Sequence, residues 1–201
     1  MDADGPVVFV LAGPNGAGKS TAAPVLVQEM AGIDRYINAD AIARGLSPFD
    51  PAMSAVAAGR VMLRHMDELA AERQNFAIET TLAGVRLAKR LEGLRDDGYQ
   101  IHIVYLWLPS PELAVERVAQ RVRLGGHSID GPVVKRRYFR SLENFIALYS
   151  PLAELWRVYD NSGISPEIVA KGSGDTTMQI ADRAKWQLFT TSRAFGDKTD
   201  E

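Results

Sequence analysis

Eight residues near the start of the chain carry its clearest chemistry. Gly13-Pro-Asn-Gly-Ala-Gly-Lys-Ser20 fits G-x-x-x-x-G-K-[ST], with the apolar run Val7–Ala12 before it and a helical pattern after it. A strand to deliver the loop and a helix to leave it are the context in which this pattern cradles phosphate. Gly13, Gly16 and Gly18 let the backbone take left-handed angles, so that successive N–H groups converge on a β-phosphate, with Pro14, Asn15 and Ala17 completing the cradle. The helix beginning at Gly18 adds the partial positive charge of its N-terminus. Lys19 is placed to bridge β- and γ-phosphates, the Ser20 hydroxyl to ligate Mg²⁺, and Thr21 to hydrogen-bond the α-phosphate. The implied substrate is a nucleoside triphosphate, ATP, with magnesium. The loop is silent on what receives the phosphate.

Two acids and a set of arginines bear on that question. Asp40 closes a strand candidate in Tyr36-Ile-Asn-Ala-Asp40, and Glu79 closes another in Phe76-Ala-Ile-Glu79. Ligands of an open parallel sheet lie beyond the carboxyl ends of its strands, which puts both acids on the rim with the loop. Asp40 can take the proton of a hydroxyl that attacks the γ-phosphate, or it can cap a helix over Ala41–Gly45. Glu79 can hold a magnesium-bound water or an acceptor, with Thr80 and Thr81 offering hydroxyls to the substrate. The competing role of this segment is an N-cap, with Thr80 or Thr81 doing that job. Arg117, Arg121 and Arg123 precede Gly125-Gly126-His127, and Arg136, Arg137 and Arg140 follow it. Two arginine-bearing helices around a glycine turn describe a lid over about 117–140, with Arg121 and Arg137 as its catalytic charges. The alternative is a solvated face paired with Glu112, Glu116 and Glu143. His127 reads as a turn residue, and Asp160-Asn161-Ser162 as either the border of the nucleotide base or a simple turn.

The elements that must position these residues alternate. Strand candidates are Val7–Ala12, Arg35–Ala39, Phe76–Glu79, Ile101–Leu108 and Arg157–Tyr159; helical patterns cover Lys19–Met30, Pro51–Glu72, Val85–Asp96, Pro111–Leu124 and Pro132–Tyr149. Such alternation means βαβ units and a parallel sheet, hence one α/β domain over residues 1–201. Pro24 lies inside the first helix, where a kink is expected. Lys171–Thr177 reads as a loop, Met178–Phe189 as a last helix, and the polar tail after Thr190 as frayed.

Composition narrows the function. With 46% hydrophobic and 24% charged residues, the chain is not a disordered one. A formal charge of −2 gives no electrostatic case for membranes or general nucleic-acid binding. The 17 arginines against 6 lysines nonetheless favour phosphate recognition. No cysteine means no disulfide, Cys-ligated metal or thiol nucleophile. The acidic Met1-Asp-Ala-Asp-Gly-Pro start is unlike a signal peptide, and the apolar runs fall far short of the roughly 18 residues of a membrane span. A soluble, cytoplasmic protein is expected.

The ordered string GPNGAGKST, YINADAIARGLSP, FAIETTLAG, ERVAQRVRLGGHSID, KRRYFRSLENF and VYDNS resembles the zeta-toxin-like P-loop kinases, in particular a bacterial branch labelled predicted ABC-type ATPase. The likeness runs from about Val7 to Ser162. It implies a P-loop NTPase three-layer sandwich whose five-stranded parallel sheet has the order 2-3-1-4-5. It also implies phosphorylation of a sugar hydroxyl of UDP-N-acetylglucosamine, a small-molecule acceptor, and restraint by an antitoxin. By the same resemblance Lys19 is the phosphate-loop lysine, Asp40 the general base and Glu79 an acid near magnesium or substrate. The chain departs from the better-known toxins at Asn38-Ala39-Asp40, where they have Asp-Gly-Asp or similar, and at Glu79-Thr80-Thr81, where they have Glu-Gly-Thr. Other functional classes stay open at this level: a transport-type ATPase, disfavoured by the lack of an LSGGQ-type signature; a nucleic-acid end kinase; and a non-catalytic nucleotide-binding module.

Overall fold

The computed structural model describes residues 5–192 apart from Asp50 and His127. The tail from 193, the first four residues and the His127 turn therefore lie outside the described residues. Strands β1 (Val7–Ala12), β2 (Tyr36–Asn38), β3 (Phe76–Thr80), β4 (Gln100–Trp107), β5 (Leu155–Asp160), β6 (Glu167–Ser173) and β7 (Thr176–Ile180) form one sheet in the order β2-β3-β1-β4-β5-β6-β7. The first five are parallel, in the order the sequence resemblance implies, and the last two add an antiparallel hairpin. Helices α1 (Lys19–Ala23), α2 (Ala39–Leu46), α3 (Ala55–Ala71), α4 (Arg86–Asp96), α5 (Pro111–Arg123), α6 (Gly131–Asn144) and α7 (Arg183–Thr191) connect and cover it.

The central position of β1 follows from its side chains. Val8 to Ala12 are buried throughout, as a strand covered on both faces requires. The register sets Leu11 beside Glu79 on β3, and Asn38 on β2 beside the same Glu79. The carboxyl ends of three strands thus meet where the phosphate loop leaves β1.

Two expectations fail for identifiable reasons. Pro24 produces a π-helical segment, Pro24–Glu29, directly after α1, where a simple kink was expected. The wider turn, with Met30 N–H bonding to Val25 O, accommodates a ring that would otherwise meet the carbonyl four residues back. The stretch Lys171–Thr177 is mostly strand, and Met178–Ile180 belongs to β7, so the last helix begins only at Arg183, capped by Asp182. Glycines gave that stretch its loop-like look, but only Gly174, at φ +53, turns the chain. At Gly172 a Cβ would lie 2.2 Å from the Trp156 ring; this glycine makes room for an indole that also bonds to Gly174 O.

The last helix is anchored by aromatics. Phe189 is fully buried and meets Tyr105, Trp107 and Phe145 edge-on. Burying one such ring stabilises the contact by about 1.5–3 kcal/mol. No helix among the described residues is long and apolar enough to cross a membrane.

Candidate active site

The phosphate loop runs from Gly13 to Gly18 between β1 and α1. Gly13, Gly16 and Gly18 all lie at positive φ, with values of 140°, 81° and 81°. At Gly13 a Cβ would also come within 2.1 Å of Leu106 O, so any side chain there would push the loop off β4. Lys19 is buried, and its Nζ donates to Gly13 O at 2.8 Å and Pro14 O at 3.0 Å. Burial lowers its pKa, against the opposing pull of Glu79 and Asp40, while Arg121 lowers it further. The ammonium therefore sits in the joint field of two carboxylates and a guanidinium.

Glu79 is the hub of the site. Its carboxylate accepts from the Ser20 hydroxyl at 3.0 and 2.9 Å, from Asn38 Nδ2 at 2.9 Å, and from the Tyr36 hydroxyl. Burial first, and then Glu79, raise the Tyr36 pKa, which keeps the phenol protonated as a donor. Tyr36 and Asn38 were not legible as site residues; only the β2–β3 register brings them to Glu79.

Asn38 also decides the role open to Asp40. The second strand ends at Asn38, and Asp40 lies in the first turn of α2 instead of closing the strand. Asn38 Oδ1 caps that helix, accepting from Asp40 N at 2.8 Å and Ala41 N at 3.1 Å. One amide thus caps α2 with its oxygen and holds Glu79 with its nitrogen. The Asp40 carboxylate has no capping duty and faces a cavity shared with Lys19 and Glu79.

Neither Thr80 nor Thr81 caps a helix, because α4 starts at Arg86 after Val85; Glu79 lies one residue inside β3. Thr80 and Thr81 line the cavity, but their hydroxyls accept from Leu82 N and Ala83 N and shape the turn. Within that turn Leu82 is buried at φ +56, a left-handed angle that a leucine holds only when its surroundings impose it. Asn144 Nδ2 bonds to Leu82 O at 2.7 Å and the Tyr149 hydroxyl to Gly84 O at 2.5 Å, so the far end of α6 and the π-turn after it hold this wall of the cavity.

The arginines divide between two cavities. The first, of about 600 Å³, is lined by Lys19, Asp40 and Glu79 together with Arg60, Arg86, Arg136, Arg137 and Arg140. The second, of about 810 Å³, lies on the other side of the loop between α1 with its π-segment, α5 and the β5–β6 connection; Thr21, Leu26, Arg117, Arg121, Tyr159 and Ile164 line it. Arg121 and Arg137 thus line different cavities, and Arg117 is a brace, donating to Asn161 O and Ser162 O at 2.7 Å each. Of the acids offered as surface partners, Glu112 pairs with Lys135, linking α5 to α6. Arg60 and Arg86, from α3 and α4, were invisible in the sequence because no motif surrounds them.

Ser20 and Glu79 are the hard-oxygen groups that could hold a magnesium ion. No group of three or more His, Cys, Asp or Glu among the described residues suits a metal. This donor set fits an ion that draws most of its shell from substrate phosphates and water. Ser20→Ala should shift the magnesium dependence of ATP binding upward by about 10–100-fold, as losses around metal ligands do. Titrating ATP binding against magnesium checks it; an unchanged midpoint would remove Ser20 from the metal site.

A family model described as an AAA domain matches residues 8–141. The chain belongs to that family. It is 29% identical over 126 residues to an uncharacterized protein of Haemophilus influenzae, covering 63% of this chain and 88% of that one. In fold it is similar to a chain of the AvrRxo1-ORF1:-ORF2 complex with ATP, at TM-score 0.72 and 18% identity, covering 96% of this chain and 65% of that one. It is also similar to a chain from the PezAT chromosomal toxin–antitoxin system of Streptococcus pneumoniae, at TM-score 0.67 and 19% identity, covering all of this chain and 82% of that one. The chain spans about two thirds of the length of the AvrRxo1 chains it matches. This AAA-domain chain has the fold of the zeta-toxin-like P-loop kinases.

Proposed function

We propose that this protein is an ATP-dependent kinase that transfers the γ-phosphoryl group to a hydroxyl of a small molecule, with UDP-N-acetylglucosamine as the favoured acceptor. The observation that carries this reading is a single cavity. Lys19 of the phosphate loop and the uncapped carboxylate of Asp40 line the same 600 Å³, which leaves room for a second molecule beside the triphosphate. A protein that only hydrolyses ATP has no need of such a compartment.

In the proposed reaction, Asp40 accepts the proton of the acceptor hydroxyl as its oxygen bonds to the γ-phosphorus. The bond from that phosphorus to the β–γ bridging oxygen breaks, and ADP leaves with the electron pair. Lys19 neutralises charge on the transferring group. Ser20 and Glu79 would hold magnesium, whose contribution when bound is to neutralise β- and γ-oxygens. Arg60, Arg86, Arg136, Arg137 and Arg140 make no ion pair among the described residues. Five converging guanidiniums repel one another and favour an anionic ligand. Five are more than one triphosphate needs, and the remainder suit a diphosphate such as that of a nucleotide sugar. Apolar side chains from α3 and α4, Met62 and Leu87 among them, line the rest.

An antitoxin partner is part of this reading, suggested by the toxin–antitoxin system among the fold relatives. Arg137→Ala tests the catalytic assignment: turnover should fall about 10²-fold, as on loss of a transition-state donor, while ATP affinity changes far less. Equal losses in both would make Arg137 a plain binding residue.

A further inference from the structure

The family match ends at residue 141, yet the phosphate loop is held by residues well beyond it. Asn161, directly after β5, donates its Nδ2 to Ala17 O in the middle of the loop at 2.7 Å. A Cβ on Gly18 would lie 2.8 Å from that same nitrogen, so the amide packs closely against the loop. The Asn161 backbone is pinned on both sides: its N–H bonds to Trp107 O at the end of β4, and its carbonyl accepts from Arg117. The preceding residue, Asp160, is buried and accepts from the Ser162 N–H at 2.9 Å and from Lys185 Nζ of α7 at 2.9 Å. Lys185 also pairs with Glu167 at the start of β6. Direct contacts therefore run from the last helix, through Asp160 and Asn161, to the loop.

We propose that Asn161 is a positioning residue of the nucleotide site and that Lys185 keeps it in place, so that the hairpin and α7 act on the phosphate loop. The proposal rests on the nucleotide reading above and is independent of the acceptor. Its physical basis is the planar peptide between Ala17 and Gly18. With the Ala17 carbonyl tied outward to Asn161, the Gly18 N–H is turned to the opposite side, toward the phosphate cradle. Arg117, gripping the carbonyls of Asn161 and Ser162, fixes the rim of the second cavity at the same point. A sequence search for a phosphate loop stops long before Asn161, which is 144 residues from its partner.

The test is equilibrium ATP binding by calorimetry, without acceptor, alongside steady-state kinetics. Asn161→Ala should weaken ATP binding by about tenfold, the upper end for one hydrogen bond, and leave the acceptor KM within about twofold of wild type. Lys185→Met should weaken ATP binding in the same direction, whereas Lys185→Arg, which keeps the cation, should restore it. A merely structural role would lower the melting temperature without separating the two substrates or being rescued by arginine. Should Asn161→Ala fail to fold, the Lys185 pair decides. Folded variants that bind ATP within about twofold of wild type would overturn the proposal while leaving the nucleotide reading standing. No ATP binding by the wild type would overturn both.

Discussion

Lys19→Ala should reduce phosphoryl transfer by about 10³-fold or more, the scale set by removing a preorganised charge from a transferring group. The ammonium lies at the loop, held by Gly13 O and Pro14 O and in the field of Glu79 and Asp40. Those two hydrogen bonds contribute about 1 kcal/mol each, so the variant should lose only a few degrees of melting temperature. Lys19→Met keeps the stem in its buried slot and separates loss of charge from loss of packing. Steady-state turnover with melting curves for both variants measures the effect. A folded Lys19→Met protein with near wild-type turnover would remove the loop from the chemistry.

What could be read in the residues beforehand depended on how local the signal was. The phosphate loop is contiguous and framed by a strand and a helix, so its place was plain; the sheet order followed from resemblance. The Asp40 role hinged on a two-residue question, whether the strand ends at Asn38 or at Asp40, and local propensity does not fix such a boundary. Once Asn38 takes the cap, Asp40 is released. Tyr36 reaches Glu79, and Arg60 and Arg86 reach the first cavity, only through pairing and packing across the fold, and nothing in their immediate neighbours announces it. Lys171–Thr177 reads as a loop in sequence, yet it carries the end of β6, a turn and the start of β7, and the bareness of Gly172 serves the Trp156 ring. The arginines around Gly125-Gly126 show how neighbours in sequence can part in the fold. Their clustering in sequence suggested one shared task, but the fold sends Arg117 and Arg121 to one side of the loop and Arg136, Arg137 and Arg140 to the other.

The central claim is that Asp40 serves an acceptor hydroxyl. Asp40→Asn keeps the size of the side chain and the α2 cap, which belongs to Asn38, while removing the proton acceptor. A general base of this kind contributes about 10²–10⁴-fold, and ATP binding, held by the loop, should change little. The decisive measurement is mass spectrometry of UDP-N-acetylglucosamine incubated with ATP, magnesium and either wild-type or Asp40→Asn protein, with free nucleosides and oligonucleotides as control acceptors. The account predicts one added phosphate per ADP on the sugar nucleotide with wild type, at least about 10²-fold less with the variant, and slow ADP release when no acceptor is present. ADP release that ignores every acceptor and is unchanged in Asp40→Asn would contradict it, and would make the protein an ATPase.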